Sequence, residues 1–400
     1  MLNLWFLKDI QKALKYNNQS KTLDSSFSIE EVLPMSDTLD LEAYLSEGVR
    51  QIVKGALRAS GGNNGTRAFL LHYSVSCAKA AKIRRSWEKK GEHVPAFLIA
   101  SIETRCNLFC QGCYSRAGGG CSENKKEDLL KPEEWDRLFT EAEGLGISFI
   151  LLAGGEPLFN RNILEKASAH KDILFPVFTN GTLFDDAYFA FFDRHRNMVP
   201  VVSLEGNETD TDARRGAGTY KKAHASMEKF NEYGMMYGVS LTVTAQNTGK
   251  VLEEAFLEYL SHMGCRIVFY VEYVPADGKS AELAPGEQER ELLDKGIAKA
   301  REKYDKMLFI SFPGDEKLSG GCLAAGRGFF HITASGSAEP CPFAPYSDKN
   351  IRNATLLEIM HSPLFEALKK EGYLELDHKG GCALFDKKEI RQLACEEPVG

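Results

Sequence analysis

Long apolar runs are missing from these 400 residues, and so is any excess of basic charge. No stretch approaches the roughly 18 consecutive apolar residues that a membrane-crossing helix needs, so no bilayer span is expected. Lysine and arginine number 49 against 56 aspartates and glutamates, and the net charge of −7 argues against nucleic acid or other polyanions as partners. Cysteine is scarce. Ten in 400 residues cannot staple a disulfide scaffold, and their clustering in two regions suits metal binding in a reducing cytoplasm. The N-terminal stretch MLNLWFLKDIQKALKY lacks the ordered regions of a cleavable signal; its apolar spacing predicts an amphipathic helix packed on the body of the protein, with an interfacial membrane helix carried by Leu4, Trp5 and Phe6 as the alternative.

What is present is a globular composition, 43% hydrophobic and 26% charged, with a β/α rhythm in its middle. From Pro95 to about Pro313 apolar runs recur: AFLIASI, ISFILLA, ILFPVFT, VPVVSLE, GVSLTVT, RIVFYVEYV and MLFISF. Continuous Val, Ile, Leu and Phe runs predict strands buried on both faces, hence a parallel sheet covered by helices. Helices are expected at Pro132 to Leu145, at Arg161 to Ala169 capped by Asn160, and at Asp185 to Arg194. Three more are expected at Thr219 to Tyr233, Val251 to Met263 and Gly286 to Tyr304. Before the rhythm the chain reads as helical, with a basic stripe from Lys79 to Lys90 that fits a solvated helix face, a specific anionic partner being the alternative.

The chemistry concentrates where the first strand ends. Cys106, Cys110 and Cys113 are spaced C-x-x-x-C-x-x-C, and three thiolates can hold only three corners of a [4Fe-4S] cube, leaving one iron open to a reactant. A structural zinc site is the competing reading, but such sites bring C-x-x-C pairs and a fourth ligand at close range. Cys121, behind three glycines, reads as a free thiol on a flexible loop. The second strand runs into Gly154-Gly155-Glu156-Pro157, where two glycines permit close backbone approach and a carboxylate can accept from an ammonium group. The third ends in Thr179-Asn180-Gly181. The fourth ends Ser203-Leu204-Glu205-Gly206, followed by Asp212, Arg214 and Arg215.

Taken together, the three-cysteine loop, the G-G-E-P turn and these strand ends resemble the radical S-adenosylmethionine (SAM) superfamily. The resemblance implies an α/β fold: a partial (β/α)6 TIM-like barrel over 95–315, with a helical N-terminal extension over 1–94. It implies that Cys106, Cys110 and Cys113 ligate the cluster, and that Gly154, Gly155 and Glu156 hold the amino group of SAM. Ser203 is then placed on the ribose or carboxylate of SAM. Arg215 either pairs with the SAM carboxylate or orders its loop through Asp212. Where the family has an aromatic residue before the third cysteine this chain has Gly112, which makes Tyr114 the candidate for stacking on adenine.

Residues 316–400 carry Cys322, Cys341, Cys382 and Cys395, with Gly336 to Cys341 forming a G-x-x-x-x-C element. This resembles the SPASM or twitch extensions that hold auxiliary iron-sulfur clusters; thiols suffice for one, with Cys322, Cys341 and Cys382 as ligands and Cys395 either a fourth ligand or unligated. Cys77 and Cys265 read as buried apolar residues. The implied activity is reductive cleavage of SAM to a 5′-deoxyadenosyl radical that abstracts hydrogen from a peptide or protein. A small molecule such as a tetrapyrrole is the alternative substrate, and a non-catalytic electron carrier the alternative of another class. A flavodoxin- or ferredoxin-type reductant and a cytoplasmic location go with that reading.

Overall fold

The computed structural model describes residues 64–121, 128–276, 278–375, 382–385 and 390. The N-terminal amphipathic helix, most of the expected 1–94 extension, and Cys395 lie outside these residues.

All seven apolar runs form strands. β1 (Phe97–Glu103), β2 (Phe149–Gly154), β3 (Phe175–Thr179), β4 (Met198–Leu204), β5 (Gly238–Val243), β6 (Ile267–Glu272) and β7 (Leu308–Phe312) lie side by side in chain order. Each neighbouring pair is parallel. Helices join them, as short parallel crossovers require, and the partial TIM-barrel core expected from the sequence is present. Local signals set the helix bounds. Pro132 opens one helix at Pro132–Leu145, and Gly146, at φ 87°, closes it in the left-handed conformation that glycine adopts without a Cβ penalty. Asp185 caps the helix Asp186–Arg194 by accepting from the Tyr188 amide at 2.8 Å. Two expectations need correction. Asn160 precedes Arg161–Ala169 without a side-chain cap, and 251–263 is not one helix but a 3₁₀ turn at Lys250–Leu252 followed by Glu254–His262.

The helix Asn64–Glu88, here α1, closes the barrel at the N-terminal ends of its strands. Leu70 and Tyr73 pack with Leu174, Val199, Val201 and Ile267. The Tyr73 hydroxyl donates to the Ser148 carbonyl at 2.9 Å, just before β2, and Ser76 donates to Asp172 at 2.8 Å, just before β3. The basic stripe is therefore not uniformly solvated: Lys79 pairs with Asp172 at 3.1 Å, and Arg84 is buried, with its guanidinium on the Gly146 carbonyl. Arg84 points inward because that carbonyl, left unpaired at a helix end, needs a donor.

The sheet does not end with β7. β8 (His331–Ile332) pairs parallel to β1 at the other edge, β9 (Ser337–Glu339) antiparallel to β8, and β10 (Lys349–Asn350) antiparallel to β9. His331 fastens this seam. One ring nitrogen lies 2.8 Å from Ser101 Oγ on β1 and the other 2.7 Å from Glu339 on β9. The cysteine-bearing C-terminal region is thus joined to the barrel through shared sheet.

If α1 seals the barrel floor, Tyr73→Ala should lower stability by about 3–5 kcal/mol, the range for removing a buried aromatic. Tyr73→Phe should cost only about 0.5–1.5 kcal/mol, the worth of one net hydrogen bond. Urea denaturation of both variants checks the ordering.

Candidate active site

The C-terminal ends of the strands surround a cavity of about 290 Å³. Parallel barrels gather their reactive groups at this end. Cys106, Cys110 and Cys113 all line the cavity, as do Gly154, Gly155, Glu156 and Ser203, so these sequence candidates share one wall system.

The loop carrying the three thiols is held by its neighbours rather than by secondary structure of its own. Glu103, buried at the end of β1, accepts from the Thr104 amide at 2.9 Å and the Arg105 amide at 3.0 Å, turning the chain outward. The Gly155 amide donates to the Glu103 carbonyl and the Glu156 amide to the Arg105 carbonyl, both at 2.7 Å. A Cβ on Gly155 would lie 2.2 Å from the Arg105 carbonyl oxygen, and one on Gly154 2.3 Å from that of Glu103. Both glycines are therefore needed for the backbones to meet. Arg116 closes the loop from the other side, donating to the carbonyls of Leu108 (2.7 Å) and Cys106 (3.2 Å).

Glu156 does not present a free carboxylate to the cavity. It is 1% exposed and accepts from Leu158 N (3.1 Å), Thr179 Oγ1 (2.7 Å) and Asn180 N (2.8 Å). Burial pushes its pKa up to about 7 against the pull of those hydrogen bonds. The carboxylate ties the end of β2 to the end of β3, which makes Thr179 and Asn180 part of the same framework.

Glu205 is clamped by two guanidiniums. Its Oε1 accepts from Arg214 Nη1 at 2.6 Å and from Arg215 Nε at 2.8 Å. Arg215 thus pairs with Glu205, not with Asp212; the Asp212 carboxylate instead accepts the amides of Gly218 (2.6 Å) and Tyr220 (2.8 Å). Arg214 is a site residue that sequence spacing left unassigned. It lines the cavity, donates to Thr242 Oγ1 at 3.1 Å, stands within electrostatic range of Cys110 and Cys113, and its carbonyl accepts from the Gln111 amide at 2.9 Å. Its Nε is buried without a hydrogen-bond partner, as is Glu205 Oε2. Such orphaned polar atoms beside a cavity fit a polar ligand that completes them. Of the polar residues ending β5, Thr242 reaches the cavity, while Thr244 and Asn247 bond to each other and cap the turn.

Tyr114 lies on the cavity wall with its ring edge-on to Phe343, 5.2 Å between centroids, and burial raises its pKa. A second aromatic, unforeseen from the sequence, meets the Gly112 position. A Cβ on Gly112 would fall 2.0 Å from the Tyr273 hydroxyl, so the Tyr273 ring, carried just past β6, occupies the space that a side chain at 112 would take. No local sequence signal links two residues 161 positions apart.

Cys121 is buried, not loose: its amide donates to the Ser115 carbonyl at 2.8 Å and its thiol contacts that of Cys106. In the C-terminal region Cys322, Cys341 and Cys382 come together. Cys341 and Cys382 share a hydrogen bond, and Cys322 lies within electrostatic range of both. Among the described residues no three His, Cys, Asp or Glu donors close on a single ion. Cys265 is fully buried, as expected, whereas Cys77 is half-buried.

Comparison with known proteins adds independent information. The sequence profile of the Radical SAM superfamily matches residues 101–256. PqqA peptide cyclase of Rhizobium meliloti (strain 1021) is 26% identical over 297 residues, 70% of this chain and 77% of that protein. AdoMet-dependent heme synthase of Methanosarcina barkeri (strain Fusaro / DSM 804) is 23% identical over 327 residues, 74% of this chain and 90% of that protein. Among solved structures, Streptococcus suis SuiB bound to precursor peptide SuiA superposes with a TM-score of 0.59 at 16% identity, over 91% of this chain and 79% of that one. This last likeness is one of fold. No helix among the described residues is long and apolar enough to cross a membrane.

Removing the Glu205 anion should leave two buried guanidiniums uncompensated. Glu205→Gln is expected to cost about 3–5 kcal/mol, the range for breaking a buried ion pair, and to loosen the cysteine loop through Gln111. Chemical denaturation, with the susceptibility of the loop to limited proteolysis, measures both effects.

Proposed function

Because residues 101–256 match the profile of the Radical SAM superfamily, we propose that the chain is a member of it and cleaves SAM reductively to modify a peptide or protein. The observation that carries this reading is the convergence of Cys106, Cys110 and Cys113 with the Gly154-Gly155 turn and two arginines on one cavity. A [4Fe-4S] cluster held by Cys106, Cys110 and Cys113 would, with SAM bound beside it, supply the chemistry of reductive SAM cleavage and of hydrogen-atom abstraction from substrate.

The chain's own residues bind, orient and exclude water. Cys106, Cys110 and Cys113 hold the cluster, and Arg116, Glu103 and the Gly155 and Glu156 amides fix the loop that presents it. Backbone at Gly154, Gly155 and Glu156 receives the ammonium group of SAM, with the Glu156 carboxylate acting from behind as a brace. Arg214 and Arg215 neutralise the SAM carboxylate; Arg214 has the unpartnered Nε. Ser203 contacts the sugar or carboxylate, and Tyr114 or Tyr273 the purine. The aromatic floor of Phe97, Phe149, Phe178 and Phe269 keeps the interior dry, which protects a radical from side reactions.

We assign residues 95–315 to the radical SAM core and 316–400 to a region holding one auxiliary iron-sulfur cluster on Cys322, Cys341 and Cys382. A peptide substrate is supported by the likeness to a peptide cyclase in sequence and to a peptide-bound enzyme in fold. The heme synthase match, over 90% of that protein, supports the tetrapyrrole alternative. A flavodoxin- or ferredoxin-type protein in the cytoplasm completes the reading as reductant, approaching the loop on which Phe109 stands exposed.

Anaerobically reconstituted wild type, reduced with dithionite in the presence of SAM, should yield 5′-deoxyadenosine. Cys110→Ala should yield none and lose about four iron atoms per chain. Cys341→Ala should keep SAM cleavage but lose iron. Equal product from wild type and Cys110→Ala would refute the assignment, and stimulation of cleavage by a tetrapyrrole but by no peptide would favour the alternative substrate.

A further inference from the structure

Behind the cavity the three C-terminal thiols share their pocket with a carboxylate that the cysteine pattern gave no reason to notice. Glu316 follows β7 in the 3₁₀ turn Gly314–Ser319, and its side chain is 2% exposed. The turn aims it inward: the Glu316 amide donates to the Pro313 carbonyl at 2.8 Å, and the Gly321 amide donates back to the Glu316 carbonyl at 3.1 Å. Gly321, at φ 118°, has no room for a side chain, since a Cβ there would stand 2.3 Å from the Leu374 carbonyl oxygen. That tight turn brings Cys322 directly under Glu316. The carboxylate is hydrogen-bonded with the Cys322 thiol and lies within electrostatic range of Cys382, which in turn contacts Cys341.

Three thiols and a carboxylate, all groups that bind metals as anions, therefore neighbour one another there, Cys322, Cys341 and Glu316 buried and Cys382 partly so, and the Glu316 carboxylate also accepts from the Leu323 amide at 3.4 Å. They are not equivalent in position. Glu316 lines the cavity together with Leu323 and Phe343, whereas the three thiols do not. Those thiols would hold three corners of a cube, and Glu316 is the neighbouring donor that also lines the cavity. Carboxylate oxygen is a harder donor than thiolate and a weaker partner for iron in a sulfide cluster, so a ligand there is the one a substrate can displace.

Resting on the auxiliary-cluster assignment above, we propose that Glu316 is the fourth ligand of that cluster, an oxygen donor at its cavity-facing corner. Cys395 is then not a ligand. Substrate entering the cavity meets the one corner that is not held by sulfur, and displacement of Glu316 brings the substrate within direct contact of the cluster.

The test uses the full chain with Cys106, Cys110 and Cys113 all changed to alanine, so that any remaining iron belongs to the C-terminal site. Iron and sulfide per chain, the electron paramagnetic resonance spectrum after dithionite reduction, and the rate of iron release to a chelator are measured. Glu316→Gln, Glu316→Cys and Cys395→Ala are then compared in that background, with circular dichroism of each to verify folding. The expected result is one retained cluster in the parent and a shifted spectrum with about tenfold or faster iron release in Glu316→Gln, on the scale of losing a supporting group at a metal site. Glu316→Cys should restore retention with a third, distinct spectrum, and Cys395→Ala should match the parent. A folded Glu316→Gln with the parent's spectrum and release rate overturns the proposal, as does loss of the cluster in Cys395→Ala. A parent that holds no iron refutes the auxiliary cluster itself, and the role of Glu316 with it.

Discussion

The mouth of the barrel depends on a backbone seam between residues 103–105 and 154–156. Two amide-to-carbonyl bonds of 2.7 Å draw the end of β1 against the turn after β2, at a separation that only glycine at 154 and 155 permits. The seam fixes where the cysteine loop leaves the sheet, and so fixes which way its thiols face. The remaining contacts refine that placement: Glu103 turns the chain, Arg116 gathers the loop carbonyls, and Arg214 links the loop to the clamp on Glu205.

Much of this was legible in the sequence, because the information is local. Seven buried strands read as seven apolar runs, and most helix ends carry a proline, a capping aspartate or a left-handed glycine within one turn. The three-cysteine spacing and the twin glycines are likewise short-range patterns. What escaped reading is what the tertiary structure assembles from distant segments. Tyr273 fills the space over Gly112, Arg215 chooses Glu205 over the nearer Asp212, and Arg84 turns into the protein from a stripe that reads as solvent-facing. In each case two chemically equivalent choices were open, and only the packing of separate β/α units decides between them. Glu156 illustrates the reverse. Its position in the motif is plain from the sequence, but its carboxylate is used to brace strands.

The C-terminal region follows from the same sheet. β8 joins β1 edge to edge and His331 locks the pair, so Cys341, just beyond β9, is held in register with the strand that launches the cysteine loop. Phe343 and Tyr114 touch across this junction. The two sets of thiols are thus tied to one continuous sheet, Cys106, Cys110 and Cys113 on the cavity wall and the C-terminal set away from its lining.

The central claim is that the cysteine loop leaves one iron open toward the cavity for SAM. Electron-nuclear double resonance on the reduced, reconstituted chain, with SAM labelled by ¹⁵N at its amino group and ¹⁷O at its carboxylate, tests it directly. Hyperfine coupling from both labels, abolished in Cys110→Ala, is the predicted result; a loaded cluster showing coupling to neither would contradict it.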